Sequence, residues 1–119
     1  MPGKKAFPYH FHHANEEAIL ILDGNGTLRT NNEMKPIEQG DYIVFPIGPD
    51  YAHQIINTGE IPLVFFCFST MNHPDISEYP DSKKIGLSGG AAPGASAEKF
   101  ILKAYYRKDD HVDYFDGEK

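Results

Sequence analysis

Apolar and polar positions along the first 70 residues follow the pattern of short β-strands separated by turns. Apolar runs rich in strand-forming residues predict strands at 18–22, 42–46, 53–57 and 61–70. A hairpin through 23–26 is expected to return along 27–32. No stretch here has a convincing helical period, and Pro46, Pro49 and Pro62 would each interrupt a helix. Short strands at this spacing are typical of a β-sandwich or β-barrel.

The run 61–69 is apolar at nearly every position, so we expect both of its faces to be buried. Its phenylalanines are then barrel core or dimer interface, and Cys67 is a small core residue. A lone cysteine forms no internal disulfide, which favours a reducing, cytoplasmic compartment.

The character of the chain changes after residue 70. Residues 71–99 are rich in proline, glycine, serine and alanine, which predicts a long surface connection. The segment 100–107 is predicted to be one more strand, and the acidic tail that follows it is predicted to be loosely held. We expect one domain over residues 1–119, with a loop-rich extension from 71 to 119.

Charge and hydropathy argue against nucleic acids and membranes as binding partners. The formal net charge is −6, and the eleven basic residues are scattered, which argues against nucleic-acid binding. No apolar run approaches the length of a membrane span, and no signal peptide is visible. A small-molecule ligand or substrate is therefore the expected partner.

Histidines and glutamates are concentrated just before the first predicted strand. Residues two apart on a strand share a face, so His10 and His12 point the same way. Glu17 begins the next strand, and His53 opens the strand 53–57. Three imidazoles and one carboxylate meeting inside a barrel suit one first-row divalent ion per chain, such as zinc, nickel, manganese or iron. Such a set leaves one or two coordination positions open. The neighbouring His13 and Glu16 fall outside this pattern.

Two spaced motifs carry a resemblance to a known family. His10, His12, Glu17 and Gly24 fit the pattern H-x-H-x3-4-E-x6-G, with Gly3 near the place of its leading glycine. A second set fits G-x5-P-x-G-x2-H-x3-N with four residues, rather than two, between the second glycine and the histidine: Gly40, Pro46, Gly48, His53 and Asn57. With "STMNHPDISEYPDS" at 69–82 and "YFDGE" at 114–118, the chain resembles small single-domain members of the cupin superfamily.

The resemblance implies an all-β cupin double-stranded β-helix, or jelly-roll barrel, that is short at its N-terminus. Only nine residues precede the first motif, so a neighbouring subunit or the segment 100–107 is expected to cover an open barrel edge. A homodimer is predicted. Three further residues are candidate contacts to the ligand or to the metal-binding side chains: Tyr9, Tyr51 and Asn57.

Three functions are consistent with the sequence. The branch resembled is often linked by name to sugar-phosphate isomerases, which implies a metal-dependent enzyme with isomerase-like or oxygenase-like chemistry on a sugar-, sugar-phosphate- or carboxylate-like metabolite. The second alternative is a non-catalytic module whose metal anchors a carbohydrate-like ligand. The third is a metal-free structural barrel. Fold alone does not choose among them.

Overall fold

A computed structural model describes residues 1–3 and 5–119, and its regular secondary structure is almost entirely β-strand. Two single turns of 3-10 helix lie at Pro49–Tyr51 and Ala97–Lys99. The strands are β1 (Phe11–His12), β2 (Glu17–Asp23), β3 (Asn25–Arg29), β4 (Met34–Glu38), β5 (Tyr42–Phe45), β6 (Gln54–Ile56), β7 (Val64–Ser69), β8 (Asp75–Tyr79), β9 (Lys84–Gly89) and β10 (Leu102–Arg107). The all-β jelly-roll prediction is confirmed.

Two three-stranded sheets enclose the core, and a four-stranded sheet adjoins them. The strand orders are β5-β2-β7, β4-β3-β6 and β1-β8-β9-β10, and every neighbouring pair is antiparallel. The first two sheets share one apolar cluster, in which Ile21, Ile55 and Leu63 are almost completely buried. Burial of these aliphatic side chains holds the two sheets together.

The corner between β2 and β3, which belong to different sheets, depends on a glycine. Gly24 has φ +85°, and a Cβ atom at this position would lie 2.7 Å from the carbonyl oxygen of Pro62. Neither the backbone conformation nor the space accepts a side chain. Gly24 therefore fixes the bend at which the chain passes from one sheet to the other. The predicted hairpin at 23–26 is wrong, because β3 pairs with β4 and β6 rather than with β2.

The predicted strands up to residue 70 all appear with small changes of boundary, and β10 confirms the strand at 100–107. One strand before residue 70 was missed. β4 contains Pro36 and two charged residues, which weaken a strand signal. It lies at the edge of its sheet, where proline is tolerated because one side of the strand forms no ladder hydrogen bonds.

The prediction of a continuous surface connection over 71–99 is wrong, because β8 and β9 lie within it. β9 alternates apolar and polar residues, with Ile85 and Leu87 set between Lys84, Gly86 and Ser88. The surrounding Pro, Gly and Ser residues hide this period of two. Loop-rich chain remains at 90–101 and after β10.

The prediction that β7 is buried on both faces is also wrong. Phe66 and Phe68 are about half exposed, and Cys67 is exposed rather than a core residue. β7 is an edge strand whose only neighbour is β2, and its alternate residues face opposite sides of the sheet. Nothing in the described chain covers the outer face, while Cys67 faces inward opposite Ile19, beside an open cavity.

The N-terminal segment covers one sheet edge. The N–H of Phe7 donates to the carbonyl of Ile55 at 3.2 Å, the N–H of Asn57 donates to Lys5 at 2.8 Å, and Ala6 bridges to Ile56. β10 pairs instead with β9, so the suggestion that 100–107 covers the barrel edge is wrong. The organisation of residues 1–119 as one domain stays a prediction. Within the described residues, no helix is both long and apolar enough to cross a membrane.

Candidate metal centre

The backbone places the predicted histidines on one face. His10 and His53 lie opposite each other in an antiparallel bridge, and each backbone N–H donates to the other carbonyl, at 3.1 and 2.9 Å. Directly opposed residues share a face, and the two imidazole ring centres are 4.7 Å apart. His12 is two residues beyond His10, so it projects from the same face, with its ring centre 5.0 Å from that of His10.

Glu17, the first residue of β2, is the point on which the three imidazoles converge. Its Oε2 atom lies 3.0 Å from Nε2 of His53, 3.3 Å from Nε2 of His12 and 3.6 Å from Nε2 of His10. His53 is buried, while the other side chains keep limited access to solvent. The structure therefore brings together all four side chains that the sequence predicted to be metal ligands.

A second group holds the Nδ1 atom of every imidazole. Nδ1 of His10 lies 2.9 Å from the carbonyl of Pro8, and Nδ1 of His53 lies 2.9 Å from the carbonyl of Tyr51. Carbonyl oxygens only accept, so these Nδ1 atoms carry the proton and donate. The neutral rings then present the Nε2 lone pair to the centre of the cluster, as metal-binding histidines do.

Asp75 performs this role for His12, and sequence reasoning missed it. Its Oδ2 atom lies 2.7 Å from Nδ1 of His12 and also accepts from the side chain of Asn15. The backbone N–H groups of Ala14 and Ile76 donate to Oδ1. Asp75 is buried and fully hydrogen-bonded. A carboxylate that holds a histidine from behind fixes its orientation and makes it a stronger metal ligand.

The ionisation of the cluster depends on the protons of the histidines. Burial raises the pKa of Glu17, but the imidazoles of His10, His12 and His53 that surround it outweigh burial and hold this pKa far below its usual range. Burial lowers the pKa of His12, but the neighbouring carboxylates of Glu17 and Asp75 outweigh burial, so this pKa is raised. Without another cation, a proton on His12 offsets part of the negative charge of Glu17. A divalent cation would replace that proton, because metal ligands bind in their deprotonated forms.

One atom tests whether these residues fit a metal ion. Nε2 of His12 is buried and has no hydrogen-bond partner within the described residues. Leaving such an atom unsatisfied costs about 1–3 kcal/mol, so a buried nitrogen aimed at a carboxylate needs a partner. Ligand atoms of His10, His12 and Glu17 all lie within 4.8 Å of one another. Nitrogen and carboxylate donors in this arrangement fit a divalent transition metal.

A cavity of about 220 Å³ opens beside the cluster. Its walls combine three ligand side chains with apolar residues and a thiol: Phe7, His10, Glu17, Ile19, His53, Ile55 and Cys67. Burial, and to a smaller extent the charge of Glu17, raises the pKa of the Cys67 thiol, which keeps it protonated. Phe45 stacks on the His53 ring with centroids 3.6 Å apart and fixes its plane. A small molecule in this cavity would lie directly against the cluster.

The other predicted site residues lie elsewhere. Tyr9 is buried on the opposite face of the segment, where its hydroxyl bonds to Asn31 and the Arg29 guanidinium lies over its ring. Tyr51 is exposed and contributes its backbone carbonyl to His53. Asn57 is fully buried, and its amide donates to the carbonyls of Met1 and Ile61. Ligand contact by these three side chains stays a prediction.

Neighbouring titratable residues also lie outside the cluster, as the spacing indicated. His13 is exposed and pairs with Glu78 at 2.6 Å, and Glu16 is exposed at the surface. Strand parity explains the separation, because His13 follows His12 by one residue and therefore projects from the opposite face.

Comparisons with solved structures identify the fold. A protein from Acidithiobacillus ferrooxidans named "putative sugar phosphate isomerase" superposes with a TM-score of 0.78 and 28% identity, covering 95% of this chain and 66% of that one. A cupin-superfamily sugar phosphate isomerase from Silicibacter pomeroyi gives a TM-score of 0.78 at 22% identity, over 98% and 68% of the two chains. The second likeness shows the fold alone.

Sequence comparison supplies the family. An uncharacterized protein of Methanocaldococcus jannaschii is 38% identical over 60 residues, which are 50% of this chain and 46% of that protein. The chain thus matches about half of that relative's length and about two thirds of each isomerase-like chain. The Cupin domain model (Cupin_2) matches residues 1–69. Because that match covers more than half of the 119 residues, and both cupin motifs lie inside it, this chain belongs to the cupin domain family.

Proposed function

We propose that this cupin binds one divalent metal ion through His10, His12, Glu17 and His53. The observation that carries the proposal is the buried Nε2 atom of His12, which faces the Glu17 carboxylate and lacks a hydrogen-bond partner among the described residues. The Nδ1 contacts of all three imidazoles support it, since they turn the Nε2 lone pairs inward. Zinc, nickel, manganese and iron all accept this set of donors.

The metal centre serves an enzyme that acts on a small polar metabolite of the sugar-phosphate class, with isomerase-type chemistry. The 28% identity to a protein named as a sugar phosphate isomerase supports this class. A bound ion would supply Lewis acidity, which polarises adjacent oxygens of a hydroxy-ketone. Glu17 tunes the charge at that point, and Phe7 and Ile55 form an apolar wall that limits water. A cytoplasmic location stays a prediction.

A binding module without turnover is the second candidate. It is favoured because both carboxylates at the centre already have partners. Glu17 faces three imidazoles, and Asp75 is hydrogen-bonded to His12, Asn15 and two backbone N–H groups. Neither is left as a separate general base, which an isomerase needs for proton transfer. In that case the ion anchors a carbohydrate-like ligand.

A turnover screen tests the enzyme. The metal-loaded protein should interconvert one member of a panel of sugar phosphates, hydroxy acids and catechols, and removal of the ion by a chelator should abolish the reaction. Restoring the metal should restore it. Tight binding of one metabolite without any turnover would reject the enzyme in favour of the binding module.

We also propose a two-fold symmetric homodimer formed through the outer face of the sheet β5-β2-β7. Tyr42, Val44, Phe66 and Phe68 are each 49–63% exposed there, opposite Leu20 and Ala18 of β2. A contiguous apolar face of this kind is typical of an interface. Light scattering at micromolar concentration should give twice the chain mass, and Phe66→Ser with Phe68→Ser should give a monomer.

Tyr114→Ser is the matched control, since Tyr114 is an exposed aromatic residue in the tail after β10 and belongs to none of the strands of this sheet. It should leave the dimer intact. A monodisperse wild-type monomer at the same concentration would contradict the interface.

A further inference from the structure

One face of the sheet β1-β8-β9-β10 is polar across its whole width, and it begins at the metal centre. His12 pairs with Ser77, Ser77 with Gly86, and Gly86 with Tyr105. The adjacent row runs from Asp75 to Ser88 to Lys103. Directly opposed residues share a face, so these side chains all lie on the side of His12. The alternate residues form the apolar face, with Ile76 opposite Leu87.

A cavity of about 200 Å³ lies on this polar face. It extends from His12 and Asp75 at one end to Lys103 and Tyr105 at the other, and Phe100 from the loop before β10 closes one side. Neighbouring strands lie about 4.8 Å apart, which puts β10 about 14 Å from β1. The side chains of His12 and Lys103 extend into this span from its two ends. A molecule of about five or six carbons with a terminal group can contact both.

Two tyrosines form the floor of the cavity, and the ring of one of them also stacks near His10 of the cluster. The Tyr79 ring lies 5.9 Å from that of His10 in a stacked orientation and 5.9 Å from that of Tyr105 in an edge contact. Gly86 creates the space for them, because a Cβ atom there would lie 2.9 Å from Cε1 of Tyr105. Tyrosine offers an apolar ring beside a hydroxyl, which suits a ligand with C–H faces and hydroxyl groups.

The far end of the cavity carries an uncompensated positive charge. The Lys103 ammonium lies 4.5 Å from the centre of the Phe100 ring, and across residues 1–3 and 5–119 no carboxylate lies within 4.0 Å of it. By contrast, Arg29, Lys35 and Lys108 all pair with carboxylates. Asp75, the acid in the cavity, is ionised, but its oxygens are already engaged by His12, Asn15 and the backbone N–H of Ala14. An ammonium beside the hydroxyl groups of Ser88 and Tyr105 matches an oxyanion.

We propose that this cavity binds the phosphoryl end of a sugar phosphate whose carbonyl or hydroxyl end lies at the metal centre, with Lys103 as the residue that selects for phosphate. The inference rests on the proposed function and adds the orientation of the ligand to it. The metal-binding side chains hold one end, the tyrosine floor supports the carbon chain, and Lys103 meets the dianion.

Calorimetric titration tests this assignment in two parts. Metal-free wild type is titrated with inorganic phosphate, and metal-loaded wild type with hexose and pentose phosphates, the parent sugars and gluconate. We expect phosphate to bind in the metal-free state and each sugar phosphate to bind at least about tenfold more tightly than its parent sugar, as a charge-assisted contact provides. Both preferences should weaken as salt is raised.

Lys103→Met removes the charge and keeps most of the stem. It should weaken phosphate binding and reduce the preference for phosphorylated sugars by about fivefold or more, while metal content stays unchanged. Lys35→Met, on β4 and outside the cavity, is the matched control and should behave as wild type. Any of three results overturns the assignment. The preference for phosphorylated sugars could survive in Lys103→Met, or gluconate could bind more tightly than hexose 6-phosphate. The third is that inorganic phosphate does not bind below about 50 mM. The proposed function is tested by other measurements, since it fails if the protein binds no metal or shows no turnover. The titration of metal-free protein with phosphate depends on neither result.

Discussion

Wild type purified without chelator should carry close to one divalent ion per chain, and His53→Ala should lose almost all of it. His53 is buried, its Nε2 lies 3.0 Å from Glu17 and its Nδ1 is fixed by Tyr51. Even the loss of a group that only orients a metal ligand costs about 10–100-fold in affinity, so loss of the ligand itself should exceed about 100-fold. Elemental analysis after dialysis measures the stoichiometry directly.

Two further variants make the metal result specific. Because His53 also stacks on Phe45, its removal leaves a cavity and lowers the stability of the fold. His10→Ala removes a more exposed ligand and should lose metal while remaining folded by circular dichroism. His13→Ala is the matched control, since it breaks only an exposed pair with Glu78 and should retain the ion. A wild type that takes up none of zinc, nickel, manganese or iron would reject the metal centre.

Local spacing accounts for the part of this centre that the sequence predicts. His10 and His12 share a face by strand parity, and Glu17 stands at the start of a strand whose apolar pattern is unambiguous. His53 came from the second motif, despite the longer loop between Gly48 and His53. That loop contains the 3-10 turn Pro49–Tyr51, which absorbs the extra residues and delivers the Tyr51 carbonyl to His53.

Asp75 shows where sequence reasoning stops. It lies 63 positions from His12, on a strand placed in a segment whose composition indicates a loop. Its role arises only because β1 pairs with β8, with His12 opposite Ser77. Pairing between distant strands is decided by tertiary packing, which a single sequence does not display. The polar face that leads to Lys103 was hidden for the same reason.

The misjudged strand β7 has a different cause. Its composition is that of a buried strand, and periodicity alone does not distinguish a covered outer face from one left open. In the chain by itself Phe66 and Phe68 remain exposed, and the proposed dimer would bury them. The sequence pattern therefore fits the proposed dimer better than the isolated chain.

Glu17→Gln should abolish most turnover while leaving the shape of the site nearly unchanged. The amide occupies almost the same volume as the carboxylate but removes the anionic ligand from a cluster in which three imidazoles face Oε2. Metal affinity should fall, so the assay is run with saturating metal. If the charge at the ion stabilises the transition state, kcat should still fall by about 100-fold or more, as when a single electrostatic contact is removed from an active site.

Glu16→Gln is the matched control for the chemistry of this change. Glu16 is exposed and adjacent in sequence, and it lies outside the cluster, so its amide should leave metal content and turnover unaltered. The pair of variants also distinguishes the enzyme from the binding module. In a module that only anchors a ligand, affinity for that ligand should change modestly once metal is restored, because the ligand supplies its own oxygens. Unchanged turnover in Glu17→Gln at full metal occupancy would mean that the carboxylate only retains the ion, and that the rate-determining chemistry depends on other side chains.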